Sequence, residues 1–390
     1  MARPVEVADI FRAYGPQYRQ EHNLPIRHLR AMQAIEICRT ADLGGHKYQC
    51  DTCGSFVISY NSCRNRHCPK CQSLDKERWL EARKKEVLPI PYFHVVFTIP
   101  EDLRPVCLRN QAVSYNILFQ AVSETLKRLS RDSKHIGAEI GFIGVLHTWS
   151  QTLIDHPHIH CIVTGGGLSF DGKKWVSGKP DFFIPVKILS QVFRGKFLDY
   201  LKQAYESGKL RFDGQISPLK EKSKFNELLN GLYRQDWHVY CKPPFKRPEN
   251  VMEYLGRYTH RVALSNDRII QFEGGQVTIR YRDYAHGDKI KEMSLAALEF
   301  IRRFLLHVLP DQFFKIRYYG ILSARNRRTK LAKCKELFGV PATETTEERL
   351  SWQELLEKIT GIDPTLCPYC KKGSLFLLEV IDPVHGRSPP

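Results

Sequence analysis

The segment Asp155-His156-Pro157-His158-Ile159-His160-Cys161-Ile162 constrains the fold more than any other part of the 390-residue chain. Side chains alternate between the two faces of an extended strand, so His158 and His160 share one face while Ile159, Cys161 and Val163 share the other. One face is apolar and suited to packing on helices. The other carries two imidazoles, the commonest metal-ligating side chains, which points to a sheet with a cation site on its polar side. A third ligand is expected from the neighbouring strand. Gly141 to Gln151 reads as that strand, joined through a short turn near Asp155-His156-Pro157, and His147, Trp149 and Gln151 share one parity along it. His147 ranks first because imidazole is the stronger donor; Gln151 is the alternative. A plain core histidine at position 147 competes with the ligand role.

The twelve cysteines make a second constraint. No apolar stretch follows Met1-Ala2-Arg3, so secretion is not expected, and in a reducing cytoplasm close-spaced cysteines read as metal ligands rather than disulfides. Cys50-Asp-Thr-Cys53 and Cys68-Pro-Lys-Cys71 are C-x2-C knuckles separated by 14 residues, near zinc-ribbon spacing, and are expected to hold one structural Zn²⁺ between them. Cys63 and His67 stand beside this set as possible extra ligands. Cys367-Pro-Tyr-Cys370 repeats the knuckle with no evident partner pair; it either completes a site with Cys63 or Cys334 or holds no metal. Arg64, Arg66, Lys70 and Lys76 give the ribbon a basic character suited to DNA.

The third feature is Tyr254-Leu-Gly-Arg-Tyr258-Thr-His-Arg261, in a helix expected from about Asn250. Tyrosines four residues apart stack one turn along one helix face, so both hydroxyls reach toward one point. Packed core tyrosines are the commoner outcome of that spacing. Two neighbours argue otherwise: Gly256 costs about 1 kcal/mol in a helix relative to Ala, which implies close approach of another group, and Arg257, His260 and Arg261 surround the hydroxyls with positive charge.

Around these features the pattern reads as α+β. Apolar spacing predicts helices within residues 1 to 45, then strands at Phe93–Ile99, Gly141–Gln151, His158–Thr164 and Trp237–Cys241, a strand pair near Ile269 and Val277, and helices over Leu108–Leu129 and Leu295–Leu309. Residues 170–230 contain one helix, Ile188–Tyr205, and read as an insertion. The expected division is a helical and zinc-ribbon module over 1–88, a core over 89–335 and a tail over 336–390. No stretch approaches the ~18 apolar residues of a membrane span. The net charge of +17 suggests a polyanionic partner. Lys315 to Lys335 holds eight Lys or Arg and no acid, with Tyr318 and Tyr319 available for base stacking, and is expected to track single-stranded DNA.

These motifs in this order resemble the IS91-like transposases, rolling-circle enzymes of the HUH nuclease superfamily. The resemblance runs from the Cys50–Cys71 module through His147-Thr-Trp, His158-Ile-His160, Gly165-Gly-Gly and the tyrosine motif to Glu299-Phe-Ile-Arg-Arg-Phe-Leu and Arg317-Tyr-Tyr-Gly-Ile-Leu. It implies a ferredoxin-like HUH core with an antiparallel sheet and helices, Mg²⁺ or Mn²⁺ on the paired histidines, and Tyr254 and Tyr258 as nucleophiles forming a 5′-phosphotyrosine. DNA contacts are expected from Arg257, Arg261, Arg317, Arg325, Arg327, Arg328 and Lys330, and the setting from the bacterial cytoplasm and nucleoid. Plasmid replication initiators and relaxases share the chemistry. Histidine-triad nucleotide hydrolases compete for His156-Pro-His158-Ile-His160, and a noncatalytic zinc-dependent DNA-binding regulator accounts for charge and cysteines alone.

Overall fold

The computed structural model describes residues 3–245, 250–251, 254, 256, 263–284, 286–341 and 350–384. Two helices, α1 (Val7–Glu21) and α2 (Ile26–Glu36), lead into the hairpin β1 (Gly45–Cys50) and β2 (Phe56–Tyr60) and helix α3 (Gln72–Lys84). Then come β3 (Tyr92–Thr98), α4 (Arg104–Arg109), α5 (Gln111–Arg131), β4 (Glu139–Trp149), β5 (Asp155–Leu168), β6 (Trp175–Ser177), α6 (Val186–Glu206), α7 (Lys222–Arg234) and β7 (Val239–Phe245). The last third holds β8 (Ile269–Glu273), β9 (Gln276–Asp283), β10 (Lys289–Ala296), α8 (Ala297–Leu306), β11 (Ile316–Gly320), α9 (Ala332–Leu337), α10 (Trp352–Thr360) and β12 (Leu375–Ile381).

The class is α+β with antiparallel sheets. The central sheet runs β11-β4-β5-β3-β7, with β6 on the end of β5. On one face, Phe93, Val95 and Phe97 of β3, Phe142 and Leu146 of β4, and Ile159, Cys161 and Val163 of β5 pack against Tyr115, Phe119 and Leu126 of α5. Residues 170–230, expected to be an insertion, belong to this core. Phe193 and Phe197 of α6 are fully buried, Phe193 meets Phe97 edge-on at 5.1 Å and Trp237 at 5.3 Å, and α7 adds Phe225. Each such side chain is worth about 1.5–3 kcal/mol of burial, so this segment covers the sheet rather than decorating it. The sequence understated it because its apolar residues are spaced among many lysines.

The opposite face of the sheet is divided. At one end Tyr92, Ile143, Val145 and Ile162 pack with Leu80 of α3, Val251, Tyr254, Ile321 and Leu322. At the other end lie the histidines. The N-terminal helices do not form a separate core: Phe11 of α1 meets Phe304 of α8 at 5.3 Å, and the same cluster takes in Val277 and Ile279 of β9 together with Cys63 and Cys68. The C-terminal strand β12 also returns, pairing with β1 in the order β12-β1-β2. No described helix is long and apolar enough to cross a membrane.

Strand β11 closes the sheet edge over β4 through a tight crossing at Gly320, which has φ +59° and leaves no room for a Cβ beside the Ile140 carbonyl. Gly320→Ala combines left-handed strain with a backbone clash, and we expect a stability loss of about 2 kcal/mol or more. Thermal unfolding reads it directly; an unchanged Tm would contradict the crossing.

Candidate functional site

The register of three strands builds the site. His147 of β4 lies opposite His158 of β5, Val145 opposite His160, and on the other side Val96 of β3 pairs with His160 and His94 with Ile162. His94, His147, His158 and His160 therefore share one face. The candidate ligand atoms of His147, His158 and His160 all lie within 4.8 Å of one another. Nδ1 of His158 is 2.6 Å from the His156 carbonyl and donates to it, which leaves the Nε2 lone pair 3.1 Å from Nε2 of His160. Burial, then the neighbouring His156, pushes His158 down to about 4, so its ring is neutral at physiological pH. Adjacent donors around a six-coordinate ion with bonds near 2.1 Å are about 3 Å apart, so the observed spacing suits a cation. His147 is held by stacking on Trp149, at 4.6 Å and 17°.

Gln151, the alternative third ligand, is not on the strand face. β4 ends at Trp149, after a register irregularity beyond His147, and Gln151 sits in the turn with its carbonyl accepting from Arg268 at 2.5 Å. Asp155 begins β5 almost fully buried, at 3% exposure, with neither carboxylate oxygen hydrogen-bonded among the described residues. His156 lies outside the cluster, its Nδ1 3.3 Å from the Arg104 guanidinium.

Tyr254 is helical and 9% exposed, and its hydroxyl lies 2.8 Å from Nδ1 and 3.1 Å from Nε2 of His94. Nε2 of His94 is in turn 2.9 Å from Nδ1 of His160, and the two rings stack at 9°. Tyrosine and histidine cluster are thus joined through His94, a residue that sequence reasoning missed. Burial, then Lys242 and His158, pushes His94 down to about 3 and keeps it neutral. Its only sequence signal is its parity in β3, which has meaning once the pairing with β5 is known. The close approach expected at Gly256 is to α3: a Cβ there would come within 2.8 Å of Leu80 and 3.1 Å of Lys76. Tyr258, Arg257 and Arg261 lie outside the described residues.

The basic stretch after Lys315 is largely occupied inside the protein. Burial pushes Lys315 down to about 8. Tyr318 accepts from the Trp79 indole at 2.7 Å and Tyr319 stacks on Phe142 at 4.7 Å, so neither ring is an open stacking platform. Arg317 bonds Asn116 and lies over Phe119, Arg327 pairs with Glu86 at 2.9 Å, and Lys330 with Glu139 at 2.5 Å. Arg325 and Arg328 are exposed.

The expected quartet of Cys50, Cys53, Cys68 and Cys71 is not one cluster. Cys68 and Cys71 join Cys63 and Cys38, while Cys50 and Cys53 join Cys367 and Cys370. The hairpin explains the division: β1 carries the chain about 16 Å along its length from Gly45 to Cys50, and β2 returns it to pair Tyr60 with Gly45, near which Cys63 meets Cys38. In the first set Cys71 Sγ lies 3.5 Å from Cys38 and 3.6 Å from Cys63, a spacing that suits four thiolates around one structural Zn²⁺. Cys38 escaped notice because it stands alone in sequence. His67 turns away from the thiols into a small pocket with Trp149, His307 and Lys315, and Cys334 packs in an apolar cluster. Of the basic residues around the ribbon, Arg66 donates to the carbonyls of Pro310 and Phe313 at 2.6 Å and Lys70 pairs with Glu6.

A family model described as a putative transposase matches residues 141–330, and one described as a transposase zinc-binding domain matches residues 10–99. The chain is 50% identical over 388 residues to the putative transposase y4qJ of Sinorhizobium fredii, covering 99% of this chain and 97% of that protein. It is 26% identical over 350 residues to the transposase for insertion sequence element IS801 of Pseudomonas savastanoi pv. phaseolicola, covering 88% and 82%. No solved structure matches significantly.

The Asp155 carboxyl tests the hairpin that delivers His158. Burial raises it to about 7, with Arg104 partly opposing, so the folded protein holds this proton more tightly than the unfolded chain. Its contribution to stability is complete below about pH 4 and lost as pH rises through 7. Denaturation from pH 4 to 8 should show the wild type losing stability relative to Asp155→Asn, by about 2–4 kcal/mol at the upper end. Parallel curves would mean a solvated carboxylate.

Proposed function

Because the chain belongs to the IS91-like transposase family, a class that cuts and transfers DNA strands, we propose that it works by rolling-circle transposition on single-stranded DNA, with Tyr254 as a nucleophile beside a cation held by His147, His158 and His160. The observation that carries this reading is the contact of the Tyr254 hydroxyl with His94, whose ring touches His160. A phenol hydrogen-bonded into a cluster of converging imidazoles matches tyrosine attack on a phosphodiester. A protein that only bound DNA would have no use for it, and a histidine-triad hydrolase would have no use for the tyrosine. Replication initiators and relaxases use the same chemistry; family membership favours transposition of element ends into a target.

In the proposed reaction the Tyr254 oxygen attacks phosphorus and the bond from phosphorus to the 3′ oxygen breaks. The products are a 5′-phosphotyrosine and a 3′ hydroxyl, which takes up a proton. The new linkage preserves the phosphodiester energy, so a 3′ hydroxyl from another strand can displace the tyrosine without a nucleotide cofactor. Tyr258, one helical turn away in sequence, is the proposed second nucleophile for the second cut. The divalent cation, Mg²⁺ or Mn²⁺, supplies Lewis-acid neutralisation of the scissile phosphate when bound, and three imidazoles favour Mn²⁺ because Mg²⁺ prefers oxygen ligands.

The protein's own part is to orient and charge the phenol. An ordinary tyrosine has a pKa of about 10 and is a weak nucleophile at neutral pH. With Nε2 of His160 as a ligand atom, its Nδ1 carries the proton and donates to Nε2 of His94. His94 then holds its own proton on Nδ1 and donates to the Tyr254 oxygen, favouring the anion and fixing its direction. The neutrality of His94 is what lets it accept on one side and donate on the other.

Incubating the protein with single strands that carry candidate element ends and Mn²⁺ should yield a protein-linked 5′ fragment. Tyr254→Phe should retain DNA binding by gel shift and lose the adduct by at least about a hundredfold. An undiminished adduct would remove Tyr254 from the role. His94→Ala should slow cleavage by about 10–100-fold while Mn²⁺ is still bound in calorimetry. Wild-type rates in that variant would disprove the relay.

A further inference from the structure

The second cysteine cluster ties together opposite ends of the chain. Cys50 ends β1 and Cys53 lies in the turn after it, whereas Cys367 and Cys370 precede β12, and neither family model reaches positions 367 or 370. Cys50 Sγ lies 3.7 Å from Cys370 Sγ, and Cys53 Sγ lies 3.7 Å from Cys367 Sγ. A tetrahedron with Zn–S bonds of about 2.3 Å has edges of ~3.8 Å, so the spacing is that of a tetrathiolate site. It is far longer than the ~2.05 Å of a disulfide.

The surroundings are shaped for thiolates. The amide of Cys53 points at Cys50 Sγ at 3.5 Å and the amide of Gly373 at Cys370 Sγ at 3.4 Å, two donors that stabilise negative sulfur. Gly373 is obligatory there, because a Cβ would collide with Cys50 Sγ and the side chains of Asp51 and Thr52. The Asp51 carboxylate accepts from the amide of Ser374 at 2.9 Å, locking one knuckle to the other.

We infer that Cys50, Cys53, Cys367 and Cys370 bind a second structural Zn²⁺, which clasps the C-terminal segment onto the N-terminal ribbon. The two knuckles are more than 300 residues apart, Cys367 lying 314 positions after Cys53, so the clasp closes nearly the whole chain into a loop. Strand β12 then extends the β1–β2 hairpin, and α10 is laid on α3, where Lys358 pairs with Glu77 at 2.7 Å and with Glu81. Through Leu80, α3 in turn backs the helix of Tyr254 at Gly256. The clasp therefore braces the platform under that helix. It stands independently of the chemistry proposed for Tyr254.

Two measurements on the full-length protein test it. Zinc content in metal-free buffer should fall by one equivalent in the variant combining Cys367→Ser and Cys370→Ser, while Cys38, Cys63, Cys68 and Cys71 keep theirs; cobalt substitution should lose half of the thiolate charge-transfer absorption. Unchanged zinc and absorption overturn the proposal. The second needs no variant. Cys53 is exposed and Cys370 partly so, so without a metal both would react quickly with iodoacetamide. We expect both, mapped by mass spectrometry, to resist alkylation in the zinc-loaded wild type and to react together once zinc is chelated. Immediate labelling of the zinc-loaded protein overturns the site.

Discussion

The antiparallel pairing of β5 with β4 on one side and β3 on the other is what the rest of the structure depends on. It sets His158 against His147 and His160 between Val145 and Val96, so that four imidazoles from three strands reach one face. Strand periodicity leaves no tolerance: a slip of one residue in β3 would turn His94 into the apolar core and put Phe93 or Val95 in the site. The register is held by the opposite face, where Phe93, Phe97, Phe142 and Ile159 are buried under α5 and α6. The core and the histidine cluster are two consequences of one alternation.

The helix of Tyr254 is positioned by a different device. It is not part of the sheet, and its place is set by packing of Val251 and Tyr254 against Tyr92 and Leu80, with Gly256 allowing α3 to come close. Cys71, a member of the first thiol cluster, is the N-cap of α3, and α3 also carries α10. The zinc-binding module is thus mechanically continuous with the sheet face that carries the histidines. Its basic residues serve that continuity as well, since Arg66 caps two carbonyls near Phe313 and Lys70 reaches back to Glu6 of the N-terminal segment.

The same holds for the surplus of positive charge. A formal +17 invites the picture of a free cationic surface, yet Arg317, Arg327 and Lys330 are tied to Asn116, Glu86 and Glu139. An exposed ion pair is worth little in stability, so such residues keep some capacity to exchange an internal partner for a phosphate. Arg325 and Arg328 are the exposed arginines of that stretch.

Local pattern by itself determined the α+β class, most element positions, the shared face of His158 and His160, the helical setting of Tyr254 and the family. Each of these depends on periodicity or on residues close in sequence. Tertiary structure alone decided which cysteines go together, because Cys38 and Cys367 are brought in by a hairpin and a returning strand that no spacing rule encodes. It also decided that residues 170–230 are core, that Gln151 leaves the strand face, and that His94 stands between Tyr254 and His160. The physical reason is common to all four: a side chain's neighbours across a sheet are set by register and packing between segments far apart in the chain, and single-strand alternation carries no information about either.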